Sequence, residues 1–198
     1  MAHTELLIGC GSNRAKRIKT YDSEEWSAVV TLDSNPDHNP HIVHDLRNHP
    51  LPFQDNTFSE IHAYEVLEHL AVQGDYEFLF AEFTEYHRLL KPNGLFIATV
   101  PAPTSEWAWG DPSHTRVFHP NWLGFLSQEN YKREVGKTTM SDFRYLYKAN
   151  FEVEYAAIEE DVFLFVLKAV KEKNIKDKSS VSVLDDINDN AEHGSTLR

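Results

Sequence analysis

Short apolar runs separated by turn-forming residues set the rhythm of the first hundred positions. Leu6-Leu7-Ile8 ends in Gly9-Cys10-Gly11-Ser12, the pattern of a buried strand entering a tight turn. Ser12 or Asn13 is placed to cap a helix from Arg14 to about Trp26. Ala28 to Leu32 reads as a second strand closed by Asp33-Ser34-Asn35-Pro36, and His41 to His44 as a brief third. Ile61 to Tyr64 supplies a fourth. From Val66 to Leu90 the pattern turns helical, with Phe78, Phe80, Phe83, Tyr86, Leu89 and Leu90 recurring near spacings of three and four. Lys91-Pro92-Asn93-Gly94 stops that helix, with Gly94 suited to a positive-φ turn. Leu95 to Val100 is apolar throughout, as in the middle of a parallel sheet. Phe151 to Ile158 and Val162 to Val170 flank Glu159-Glu160-Asp161, the layout of an antiparallel hairpin.

Strand and helix in alternation predict an open α/β sheet with one antiparallel strand near its end. Only Ser34 to Pro40 separates the second and third strands, too few residues for a crossover helix, which needs about a dozen. That helix is expected to be abbreviated, leaving part of one sheet face for a partner subunit, possible as a homodimer. Residues 101–150 follow no period and read as an insertion on the sheet's carboxyl edge. The expected division is a domain over 1–170 and a polar tail over 171–198, without a fixed structure.

Charge and cysteine content narrow the setting. The formal charge is −12, and the tail is nearly balanced, so the acidity belongs to the folded part. A surface of that sign repels phosphate backbones, so nucleic acid is a disfavoured substrate. One cysteine, Cys10, permits no internal disulfide and suits a reducing cytoplasm. Neither a signal peptide nor an apolar run of membrane-spanning length is visible.

The chemistry begins at the first turn. Gly9-x-Gly11 lets backbone approach a ligand, but the nicotinamide fingerprint wants a third glycine where this chain has Arg14. A ligand without a pyrophosphate fits better. Asp33 ends the second strand about twenty residues on, where a carboxylate holds a ribose diol.

Taken in order, Leu6-Leu7-Ile8-Gly9-Cys10-Gly11, Leu32-Asp33, His44-Asp45-Leu46, Leu51-Pro52-Phe53-x-Asp55-Asn56-x-Phe58, Glu65-Val66-Leu67-Glu68-His69-Leu70 and Arg88-Leu89-Leu90-Lys91-Pro92-x-Gly94 form a series. The series resembles class I, Rossmann-like methyltransferases dependent on S-adenosylmethionine, and within them the type 11 group of bacteria and phages. It covers about residues 5 to 101. The resemblance implies a three-layer α/β/α fold with strand order 3-2-1-4-5-7-6 and S-adenosylmethionine across its carboxyl edge. It implies Gly9, Cys10 and Gly11 against the methionine part and Asp33, with Ser34 beside it, on the ribose. It also implies Asp45 and Leu46 on the adenine, and Tyr64 and Glu65 near the methionine end. Leu7 departs from the family, whose members often carry a polar residue there.

Methyl transfer to a neutral oxygen or nitrogen needs a proton acceptor within reach and no metal. Glu65, the first choice, and His69 are expected as an i, i+4 pair on one helix face, with Glu68 as packing. Trp107, Trp109, Asp111, His114 and Arg116 resemble an Asp-Pro-x-His-x-Arg stretch of some relatives. There the two indoles would clamp an acceptor, His114 would take a proton and Arg116 would hold an anion, or Asp111 and Arg116 would pair within a self-packed lid. Arg144, with Asp142 and Tyr145, extends the substrate side. His38, His41 and His44 lack the carboxylates or thiols of a metal site, and Arg14, Lys16, Arg17 and Lys19 read as a solvated basic face. The reading is methyl transfer to an oxygen or nitrogen of a small-molecule acceptor. Its alternatives are a nucleotide or nucleic-acid base methyltransferase and a non-catalytic S-adenosylmethionine-binding module.

Overall fold

The computed structural model describes residues 4–19 and 25–171. The strands are β1 (Glu5–Ile8), β2 (Val29–Asp33), β3 (Ile42–Val43), β4 (Phe58–Tyr64), β5 (Leu90–Pro101), β6 (Phe151–Glu159) and β7 (Val162–Ala169). They form one sheet in the order β3-β2-β1-β4-β5-β7-β6. β1 to β5 pair in parallel, whereas β7 runs antiparallel to both β5 and β6. This is the Rossmann-like methyltransferase order anticipated above. The crossover from β2 to β3 holds only a 3-10 turn, Pro36–His38, and β3 is two residues long.

Helix α1 (Tyr76–Leu89) covers one face of the sheet. Asp75 caps it by accepting a hydrogen bond from the Phe78 N–H at 3.0 Å. Its buried stripe, Leu79, Phe80, Phe83, Tyr86 and Leu89, lies on the even-numbered side chains of β5, and Tyr86 stacks on Phe96 with ring centroids 4.6 Å apart. The helix does not begin at Val66 as the periodicity predicts. Ala71 (φ 57°) and Gly74 (φ 89°) sit in the left-handed region and break the helical path, leaving a 3-10 turn over Leu67–His69. Its far end also differs from expectation. Asn93, at φ 63°, takes the left-handed conformation, and Gly94 is required for closeness instead. A Cβ there would stand 3.0 Å from the carbonyl oxygens of Lys91 and Ser59.

The motifs around Leu51 and Arg88 belong to this packing. The Arg88 guanidinium binds Glu85 through Nε (2.8 Å) and Nη2 (2.6 Å), and reaches Phe53 O and Asp55. Glu85 in turn accepts the Leu51 N–H at 2.6 Å. The loop before β4 is thereby clamped to α1.

On the opposite face no helix follows β1 among the described residues. Residues 13–19 run without regular structure, so the helix expected from Arg14 is corrected over that stretch, and residues 20–24 of its span lie outside the described residues. The reason is visible in Lys16. Its ammonium, 1% exposed, enters a polar layer on the sheet and binds Glu5 at 2.6 Å and Glu60 at 3.3 Å. Arg14 donates to the carbonyls of His38 (2.6 Å) and Asn39 (2.5 Å). Of the basic run, Arg17 and Lys19 are exposed as expected, whereas Arg14 and Lys16 are not part of a solvated helix face. Those two side chains tie β1 to β4 and to the loop after β2.

Residues 101–150 pack more than the sequence pattern shows. They hold α2 (Trp107–Gly110), a 3-10 stretch over Pro120–Leu126 and α3 (Gln128–Glu134). Phe118, Leu123, Tyr131 and Tyr147 are buried with α1 and β7. The expected tail lies, beyond Lys171, outside the described residues. No helix among the described residues is long and apolar enough to cross a membrane.

Candidate active site

At the carboxyl ends of β1, β2 and β4 two adjoining hollows form one trough. The larger, about 330 Å³, is lined by Asp33, Ser34, Asp45, Leu46 and Glu65, and also by His38, Arg47, Val66, His69 and Leu70. The smaller, about 240 Å³, is lined by Leu7, Cys10, Ser12, Asn13, Arg17 and Tyr64. Gly9, Gly11 and Glu65 line both and mark where the halves meet.

The bend at that junction depends on two left-handed glycines, Gly9 at φ 56° and Gly11 at φ 53°. A Cβ on Gly9 would lie 2.2 Å from Val66 Cγ2, whereas one on Gly11 would meet nothing within 4 Å. The first keeps the bend packed against the segment after β4, and the second leaves bare backbone beside open space. Glu65 is also left-handed, at φ 55°, with its N–H on Thr99 O at 2.9 Å. A non-glycine residue held there carries strain of a kind found at functional sites.

Asp33 is buried and organises the larger half. It accepts the N–H groups of Gly11 and Asn35, both at 2.8 Å, and lies 3.2 Å from His38 Nδ1. Burial alone would raise its pKa, but those donors outweigh it and hold the carboxyl below its usual range. Asp45 is held low mainly by Arg47, which grips it through Nε (3.0 Å) and Nη2 (2.8 Å). In the smaller half, Arg17 is the cation in the lining and sits 5.5 Å from the Tyr64 ring. The Tyr64 hydroxyl is bonded to His62 Nδ1 at 2.6 Å, and burial pushes its pKa up to about 12. Leu7 packs with Cys10, Tyr64 and Ile97, so the polar position common in relatives is here part of an apolar cluster.

These features fit an adenosyl sulfonium. An ionised carboxylate lines the larger half, a bare bend divides the two halves, and a guanidinium lines the smaller. Residues 6–98 match the family model described as "Methyltransferase domain". Residues 6–98 are a methyltransferase domain. The enzyme uses S-adenosylmethionine as its cofactor. By structure the chain is similar to an S-adenosylmethionine-dependent methyltransferase from Archaeoglobus fulgidus, with 18% identity over 84% of this chain and 86% of that one and a TM-score of 0.54. It is similar as well to a Haloferax volcanii methyltransferase solved in complex with the Trm112 methyltransferase activator (18% identity, 86% and 84% covered, TM-score 0.54). A third is the N-methyltransferase NodS from Bradyrhizobium japonicum WM9 (14% identity, 85% and 86% covered, TM-score 0.50). At these identities the likeness is one of fold. None of the curated proteins matches the chain.

The methyltransferase trough collects Gly9, Cys10, Gly11, Asp33, Ser34, Asp45, Leu46, Tyr64, Glu65 and His69 from the sequence-level candidates. Glu65 and His69 do not share a helix face, because only a 3-10 turn begins after Val66. His114 stands behind His69, ring centroids 4.7 Å apart, with Asp111 Oδ2 3.8 Å from its Nε2. Trp107 and Trp109, 60% and 73% exposed, project from α2 without lining either hollow.

Two arginines are placed otherwise than expected. Arg116 pairs not with Asp111 but with Glu82 of α1, at 3.3 Å, and both side chains are buried. It borders a separate chamber of about 200 Å³, lined also by Tyr76, Phe80, Trp122, Phe125 and Phe143, that shares no residue with the trough. Arg144 is exposed and bound to Asp142 at 2.7 Å. Both guanidinium groups are committed to partners of their own chain.

Arg47, His38 and Arg17 join the trough without a sequence signal, since each arrives through a loop whose path depends on the fold. Glu68 was read as packing. It is 2% exposed, and no neighbouring residue gives either carboxylate oxygen a hydrogen bond. Burial pushes its pKa up to about 8, against an opposing effect of its own backbone N–H.

Proposed function

We propose that this enzyme methylates an oxygen or nitrogen of a small-molecule acceptor, with Glu65 as the proton acceptor. The observation that carries the reading is the position of Glu65, strained into the left-handed region at the point where the two halves of the trough meet. The bound cofactor supplies an electrophilic methyl group, and the chain's task is to hold the acceptor atom in line with it and to remove a proton. Gly9 and Gly11 set the approach, Asp33 and Ser34 hold the ribose, Asp45 and Leu46 the adenine, and Cys10 and Tyr64 wall the methionine half. His69 contacts the acceptor at the lip and His114 fixes the His69 ring.

The exposed indoles of Trp107 and Trp109 and the Asp111 carboxylate form the acceptor's outer wall. Residues 101–119 then act as the substrate side of a catalytic unit spanning 1–170. A trough carrying Asp33, Asp45 and Glu65 within a chain of charge −12 favours a neutral or cationic acceptor over a nucleic acid. The lone cysteine supports a cytoplasmic setting. Val153, Tyr155 and Ile158, nearly half exposed along β6, support a second copy of this chain as a partner, checked by light scattering after gel filtration.

The test is a panel of small hydroxyl and amine compounds with isotopically labelled cofactor, read by mass spectrometry. Labelled product on such a compound, lost in Glu65→Gln, is expected. Label found instead on added nucleic acid would overturn the assignment.

A further inference from the structure

We propose that Glu68, His69 and His114 form a binding site for one divalent transition-metal cation of the zinc class at the lip of the cofactor trough. The three ligand atoms converge within 4.8 Å of one another. Glu68 Oε1 lies 3.9 Å from Nε2 of both His69 and His114. That is too long for a hydrogen bond, and it is close to the spacing of ligands around an ion. Bonds of about 2.0–2.2 Å to nitrogen and oxygen in a tetrahedron place ligand atoms roughly 3.3–3.5 Å apart. A contraction of about half an ångström brings both Glu68 edges to that spacing, and the two imidazole nitrogens, within 4.8 Å of each other, close the triangle by rotation of the partly exposed His69 ring.

Both imidazoles are already set for coordination. His114 Nδ1 is 2.8 Å from Trp107 O and His69 Nδ1 is 3.2 Å from Ser113 O. A carbonyl can only accept, so each Nδ1 carries the hydrogen and each Nε2 presents its lone pair toward Glu68. A ring held by its far nitrogen on a carbonyl is the usual support of a metal-bound histidine. The loop bearing His114 is fixed to the Glu68 segment beforehand, since the N–H groups of Thr115 and Arg116 both donate to Glu68 O (3.0 and 3.2 Å). Arg116, locked on Glu82, holds the same loop from behind.

Glu68 supplies the strongest reason for an ion. A carboxylate removed from water without a donor from any neighbouring residue is unfavourable, and a cation beside it would offset that cost. The contrast lies across the sheet. Glu5, Glu60 and His62 also converge, but there the Lys16 ammonium occupies the centre. Two nitrogens, one oxygen and no sulfur suit zinc, cobalt or iron better than calcium or magnesium. The remaining position faces the lip, where His69 lines the trough and Asp111 borders His114. There the ion would take the acceptor's oxygen or nitrogen in place of the His69 contact, with Glu65 left as base. That last role rests on the function proposed above; the site itself does not.

Metal-stripped protein titrated with Co²⁺, followed by visible absorption and calorimetry, tests the proposal. One equivalent is expected, displaced by Zn²⁺. Glu68→Gln and His114→Ala should each weaken it at least ~100-fold, with the surface variant Glu129→Gln unchanged. Should those variants fail to fold, His69→Ala at the exposed lip gives the same reading. Absence of stoichiometric Co²⁺, or binding that survives loss of these ligands, would overturn the site. Stripped protein that still binds adenosylhomocysteine but takes up no Co²⁺ would sink the metal site alone and leave the cofactor reading intact.

Discussion

Gly9→Ala separates two costs that the junction of the trough combines. The alanine must adopt φ 56°, which is unfavourable by roughly 1–2 kcal/mol for an L-residue. Its Cβ must also displace Val66, whose Cγ2 and Cβ lie 2.2 and 2.8 Å away. Val66 is β-branched, packed against the core and unable to swing freely, so overpacking adds about 1–3 kcal/mol. The sum is about 2–5 kcal/mol. Gly11→Ala needs a similar φ but meets nothing within 4 Å, so it should cost only the first 1–2 kcal/mol. Urea denaturation of both variants measures the difference, and a cycle with Val66→Ala isolates the clash as a favourable coupling of about 1–3 kcal/mol. On the proposed reading, in which the bend faces the cofactor, Gly9→Ala should also weaken adenosylhomocysteine binding by at least ~10-fold in calorimetry, equivalent to about 1.4 kcal/mol. Equal losses for Gly9→Ala and Gly11→Ala, or a coupling below ~0.5 kcal/mol, would refute the reasoning.

Other substitutions probe separate links. Asp33→Asn removes a charged acceptor worth about 1.5–3 kcal/mol, so the dissociation constant for adenosylhomocysteine should rise roughly 10- to 150-fold; unchanged calorimetry would remove Asp33 from the site. Glu65→Gln should lower kcat by about 10²–10⁴ while cofactor affinity holds, and a variant as fast as the parent would end its role as base. Glu85 is buried, which raises its pKa, but Arg88 and the Leu51 N–H hold it below the ordinary glutamate value of 4.5. Its contribution is present above 4.5 and lost as pH falls below it, so Glu85→Gln should destabilise the protein at pH 7 and lose that deficit in acid. A deficit independent of pH would contradict this. Arg116→Met leaves Glu82 buried without its partner and should cost about 3–5 kcal/mol at pH 8. Glu82, already raised to about 7 by burial, escapes by protonation, so the loss should shrink at pH 5; chemical denaturation at the two pH values decides.

The strands and the open α/β class were legible because apolar runs, glycine turns and a closing hairpin are local patterns, whereas the order of the strands came with the resemblance to class I methyltransferases. That Gly9, Gly11 and Asp33 share one edge was legible too, since the ends of adjacent parallel strands must meet there. What lies around them was decided in three dimensions. Lys16, read as one of a solvated basic run, is buried because Glu5 and Glu60 point to the same face of neighbouring strands, a coincidence of register that spacing does not reveal. Arg116 found Glu82 rather than Asp111 because α1, more than thirty residues earlier, presents a carboxylate inward. Glu68 is buried, as the packing reading has it, but only the loop after β5 brings His114 Nε2 to 3.9 Å from its carboxylate. Periodicity reports which face a residue takes. Only the closed fold determines which distant charge shares that face.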